Sequence, residues 1–141
     1  MKRIFSGALA LLMVLVMMPG QSFAANTEDT VFWFKSQSLF SSFHTAPRAK
    51  EDTTPVYVYV YNCPSQNYLV RAERKAANGS WILDNEGGAV TTLRRDVKYS
   101  LHTLIYEHSG RLARLGVTVL GTGYVEGVWS PDSQGHYVDA W

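Results

Sequence analysis

Cysteine is nearly absent from this chain: Cys63 is the one thiol among 141 residues. No disulfide can close within a single copy, so stability outside a cell would rest on packing. Charge of one sign is also scarce. The chain carries 13 basic and 12 acidic residues, and without Lys2 and Arg3 the balance is 11 to 12, a formal net charge of −1. No long-range field draws such a chain to nucleic acid or an acidic membrane. Gly-x-Ser-x-Gly elbows and paired-carboxylate motifs are missing too. Gly121, Gly123 and Gly127 miss the spacing of a phosphate loop, and strand-like sequence follows them instead of a helix N-terminus. The expectation is a chain that is not an enzyme, holds no cofactor and has no nucleic-acid partner.

Histidines do not gather either. His102 and His108, placed on one strand, would stand roughly 20 Å apart at about 3.3 Å per residue. With His44 and His136 they read as surface residues, and a zinc site would need unconnected loops. No metal is expected.

Long apolar runs are limited to one, over residues 8–18. Lys2 and Arg3 precede it, Pro19-Gly20 breaks it, and Ser22-Phe23-Ala24 supplies small residues before a cut. That order is the pattern of a secretory signal peptide. The run falls short of the roughly 20 residues a membrane-spanning helix needs. Residues 1–24 are therefore expected to be a leader cleaved near Ala24, and residues 25–141 a single secreted domain with no transmembrane segment. At 117 residues the remainder can hide roughly two-thirds of its unfolded surface without a metal or disulfide staple.

What is present is a period of two. Val56, Val58 and Val60 alternate with Tyr57, Tyr59 and Tyr61, which sets valines on one side of a strand and tyrosines on the other. Residues 30–36, 67–75, 80–83, 89–94, 98–108, 111–120 and 124–129 read as further strands, about eight in all. Asn78-Gly79 predicts a type I′ hairpin turn. Residues 36–50 are ambiguous, and their serines and Pro47 favour loop or edge structure. The predicted fold is all-β, an antiparallel β-sandwich, with a small β-barrel as the alternative.

β-branched valines suit a core, which leaves the tyrosine row partly exposed. Exposed aromatic rings stack on sugars or meet another protein, whereas rings paired with neighbouring strands under residues 36–50 would be structural cover. Tyr57, Tyr59 and Tyr61 are thus the candidate ligand-binding residues, with Arg71 as a weaker addition. The basic pairs Arg71/Arg74, Arg94/Arg95 and Arg111/Arg114 either gather on one face or form cross-strand ion pairs. Cys63, beside Pro64, reads as a packed thiol, with a homodimer bridged through it as the alternative.

Residues 48–53 (Arg-Ala-Lys-Glu-Asp-Thr) ahead of a Val-Tyr strand, Tyr106-Glu107 followed by Ala113-Arg114-Leu115, and the Trp129-Ser-Pro-Asp-Ser133 ending resemble a family of unknown function. That family consists of small exported proteins of Gram-positive bacteria. A looser similarity runs to lactococcin-like bacteriocins, which are exported, disulfide-free β-sandwiches ending in aromatics, as Tyr137 and Trp141 do here. The resemblance implies export and a bacteriocin-like or accessory role, and it lends no catalytic residues. Taken together, the chain is expected to recognise a cell-envelope component or another protein. A secreted enzyme with a loop-built site and a self-associating surface protein are the alternatives.

Overall fold

The alternation of apolar and polar residues builds two facing sheets. The structure is a computed structural model and describes residues 25–140, so the leader expected over residues 1–24 lies outside the described residues. The strands are β1 (Thr30–Ser36), β2 (Phe40–His44), β3 (Arg48–Ala49), β4 (Val56–Asn62), β5 (Asn67–Lys75) and β6 (Trp81–Leu83). They continue as β7 (Thr91–Arg94), β8 (Lys98–Leu101), β9 (Leu112–Leu120), β10 (Gly123–Ser130) and β11 (Val138–Ala140). The first sheet runs β1-β10-β4-β8-β11. The second runs β2-β9-β5-β6, with β3 also on β9 and β7 also on β5. The sheets stay open, so the arrangement is a β-sandwich and not a barrel. Among the described residues no helix is long and apolar enough to cross a membrane.

Each strand turns one side chain in two to the shared core. Val56, Val58 and Val60 of β4 are fully buried, facing Val70 and Ala72 of β5 and Leu115, Val117 and Val119 of β9 as the core of the sandwich. Burying a valine side chain contributes roughly 1.5–3 kcal/mol, so this alternation alone selects the register. Trp129 fills the end of the core, with the Arg48 guanidinium 5.7 Å above its ring. β1 and β2 follow each other in sequence but belong to different sheets, and Phe34 stacks on Phe43 where the chain changes layer. At Gly127 the ladder between β10 and β4 shifts register. A Cβ there would lie 2.6 Å from the Tyr59 carbonyl oxygen and 2.7 Å from the Phe32 ring, so only glycine fits.

Among the described residues eleven strands replace the eight expected. The additions are β2 and β3, inside the ambiguous segment, and β11, which pairs in parallel with β8. β2 and β3 are edge strands, which is why serine and Pro47 are tolerated around them.

Two local expectations need correction. The hairpin at Asn78-Gly79 is not type I′, because only Gly79 has positive φ (85°). The Gly79 N–H bonds the Ala76 carbonyl and the Ala76 N–H bonds the Ser80 carbonyl, both typical of a type I turn closed by a glycine bulge. Asn78 instead accepts the Ser80 N–H on its side-chain oxygen. Likewise, residues 98–108 do not form one strand. β8 ends at Leu101, and the chain then coils, the His108 N–H bonding the Leu104 carbonyl and the Gly110 N–H that of Ile105. His102 and His108 consequently pair apart, with Asp139 and Asp84, at 2.9 and 2.8 Å.

Candidate functional site

The outer side of the first sheet carries the largest uncovered set of aromatic rings among the described residues. In β1 the phenylalanines point inward, so Val31, Trp33 and Lys35 point out. In β10 the inward residues are Val125, Gly127 and Trp129, which leaves Tyr124, Glu126 and Val128 outside. β4 adds Tyr59 and Tyr61. Antiparallel register aligns these in rows. Val31 faces Val128, which faces Tyr59, which faces Lys98; Trp33 faces Glu126, and Lys35 faces Tyr124. Trp33 is 67% exposed and Tyr124 50%, with their ring centroids 6.1 Å apart. The Tyr59 and Tyr61 rings lie 5.7 Å apart. Lys35 stands over Tyr124 and Lys98 over Tyr59, each at 5.7 Å, so ammonium groups border the rings on both sides.

Tyrosine 57 lies on the same side of β4 but does not join this surface. Residues 131–137 fold back over it, and Tyr137 packs on its ring at a centroid distance of 4.6 Å, leaving Tyr57 4% exposed. Burial, with Asp29 next, pushes its hydroxyl up to about 12, so it stays protonated at neutral pH. The tyrosine row thus splits into one buried and two outward members.

Arginine 71 is placed elsewhere altogether, on the outer side of the second sheet. Its Nε donates to Glu73 Oε1 at 2.6 Å, and Arg114 Nε donates to Glu73 Oε2 at 2.6 Å. His44 lies 3.5 Å from the same carboxylate, and Arg114 lies over the Trp81 ring at 4.2 Å. Burial works against ionising Glu73, but hydrogen bonds from Arg114 and Arg71 outweigh it and hold the carboxyl below its usual range. Arg74 pairs with Asp84 and Arg95 with Asp96. Arg71, Arg74, Arg95 and Arg114 therefore form ion pairs with their neighbours, while Arg111 lies over the Tyr106 ring at 4.9 Å. Cys63 is buried beside Ser65.

Two further arrangements escaped the sequence reading. A cleft of about 620 Å³ opens beside Pro55, Ser100, His102, His136, Tyr137 and Asp139. Close to that cleft, just past the same end of β10, Lys50 and Asp132 form a buried ion pair at 2.6 Å. Trp33 and Tyr124 were also missed, although alternation in residues 30–36 and 124–129 sets them opposite the inward Phe32 and Val125. What the sequence could not supply is that β1, β10 and β4 are neighbours.

Residues 20–133 match the family DUF2712, described as a protein of unknown function. The chain belongs to that family. No curated protein and no solved structure gives a match. Within the stretch matched to DUF2712, the segments at residues 48–53 and 129–133 meet in space through the Lys50–Asp132 pair. The exposed rings of Trp33, Tyr61 and Tyr124 and the half-buried ring of Tyr59 lie in it as well.

Proposed function

We infer that this chain is exported and acts outside the cell as a non-catalytic binding domain, gripping a polysaccharide of the cell envelope through the outer side of the first sheet. The observation that carries the reading is the aromatic platform on three adjacent strands, where Trp33, Tyr124 and Tyr61 are exposed and Tyr59 is half-buried beside them. Strand spacing of about 4.8 Å and the 6.1 Å between the Trp33 and Tyr124 rings on neighbouring strands suit successive sugar rings laid across a sheet. Lys35 and Lys98 at the margins suit a polymer with anionic groups. A bacteriocin-like or accessory role in Gram-positive bacteria is compatible with such anchoring. A homodimer through Cys63 is disfavoured, since the thiol would have to leave the core. The enzyme alternative would use the cleft at His102 and Asp139, but catalysis gives no reason for three exposed rings elsewhere.

The test is retention of the purified mature protein on isolated cell walls and on polysaccharide released from them. Retention is expected to be lost in a Trp33→Ala/Tyr61→Ser double variant that keeps its fold. Failure of the wild type to bind, or equal retention of the variant, overturns the reading.

A further inference from the structure

Lysine 50 and aspartate 132 are an unusual pair to find in a core. Their side chains are 1% and 0% exposed, and Nζ lies 2.6 Å from Oδ1. Lys50 leaves the second sheet at the end of β3, and Asp132 leaves the first at the end of β10. The other carboxylate oxygen, Oδ2, accepts the backbone N–H groups of Asn26 at 2.8 Å and Glu51 at 3.0 Å. A second carboxylate, Asp52, stands 3.7 Å from Nζ and is one-third exposed. Nζ also donates to the Thr54 carbonyl. Removing two full charges from water costs several kcal/mol per ion, which their attraction repays only in part. An amine, a carboxyl, two N–H groups on the remaining oxygen and a nearby base are also the parts needed to make an amide.

We propose that Lys50 and Asp132 condense into an intramolecular isopeptide bond that staples the two sheets together. In a site closed to water, the ion pair relaxes by moving one proton from Nζ to Oδ1, giving a neutral amine and a carboxylic acid. The amine lone pair then adds to Cγ, and the carbonyl pair moves onto Oδ2. The N–H groups of Asn26 and Glu51 are already aimed at that oxygen, as an oxyanion requires. Asp52 takes a second proton from nitrogen and passes it to the Oδ1 hydroxyl. The Cγ–Oδ1 bond breaks, one water leaves, and Asp52 returns to its starting state. No oxidant or cofactor enters. The remaining N–H keeps the Thr54 carbonyl as its acceptor.

Burial disfavours the charged form of Asp52, yet its hydrogen bonds from Thr54 prevail and hold the carboxyl below its usual range, so that it stands as a carboxylate beside Nζ before the reaction. The product removes two buried charges while keeping the hydrogen bonds of Asn26 and Glu51 to Oδ2. In a chain with one buried cysteine, this amide would do what a disulfide does in other exported domains.

Intact-mass measurement of the full chain as exported, followed by peptide mapping, tests the bond. The expected wild-type mass lies one water below the mass of its sequence, and digestion yields a branched peptide joining Lys50 to Asp132. Lys50→Arg is expected at full sequence mass, and Asp52→Asn, which leaves the buried pair in place, at full mass in most molecules. A wild-type protein at full sequence mass, or a water lost elsewhere with no branched peptide, overturns the proposal without reference to any variant. Complete bonding in Asp52→Asn overturns the role given to Asp52.

Discussion

The two outer sides of this sandwich are built from similar strands yet treat their side chains in opposite ways. On the second sheet, Arg71, Glu73, Arg114 and His44 face one another across β5, β9 and β2, and Trp81 lies beneath Arg114. Those side chains satisfy one another, so that centre has little left to offer a partner. On the first sheet, Trp33, Tyr124 and Tyr61 are exposed, Tyr59 is half-buried, and lysines border the rings without ion-pairing across them among the described residues. A surface that closes on itself serves stability, whereas one left open serves recognition. The contrast gives each side a distinct signature under mutation.

The largest effect should come from the core that both sides share. Trp129 is fully buried, and Trp129→Ala is expected to cost about 3–5 kcal/mol in urea unfolding. Wall retention would then fall only as far as folding does, which marks what a purely structural loss looks like. Next comes Glu73→Gln, which leaves Arg71 and Arg114 without their shared carboxylate. With the Glu73 side chain 8% exposed, the expected cost is about 1–3 kcal/mol. Retention should not change, because the residue is on the closed side.

A pH series sharpens the same point. The Glu73 carboxyl titrates near 4.5 when unfolded and lower when folded. In acid the unfolded state therefore binds more protons, and stability present above pH 4.5 is lost as pH falls toward the folded value. Asp52, also lowered from 3.8, has the same sign over a more acidic window. Denaturation midpoints measured on descent below pH 4.5 should fall more steeply in wild type than in Glu73→Gln. Parallel curves would mean that Glu73 does not contribute as described.

Most of the strand layout could be read from residue alternation, since period-two burial is a local property. Residues 30–36 and 67–75 appear as β1 and β5 with the expected limits. Strand adjacency is not local, and there the reading stopped. Tyr57, Tyr59 and Tyr61 share a side of β4 as alternation requires, yet Tyr137, from a loop some eighty residues on, decides that Tyr57 is covered. Arg71 alternates outward correctly, but on the other sheet, where Glu73 and Arg114 hold it. The type I′ turn failed for a smaller reason: Asn-Gly permits positive φ at both positions, but here the chain uses it only at Gly79.

The smallest stability effect should accompany a large effect on binding. Trp33 is two-thirds exposed and meets mainly Tyr124, so Trp33→Ala should change unfolding free energy by no more than about 0.5 kcal/mol. Losing one ring that stacks on a sugar removes roughly 1.4 kcal/mol of binding, a tenfold loss of affinity for wall polysaccharide. Leu69→Ala is the matching change on the closed side, an exposed residue beside Thr118 and Thr92. It should leave affinity untouched. If both substitutions weaken binding equally, the ligand does not distinguish the two sheets, and the division between an open and a closed side fails. If only Trp33→Ala does so, the uncovered rings are the reason the first sheet is open.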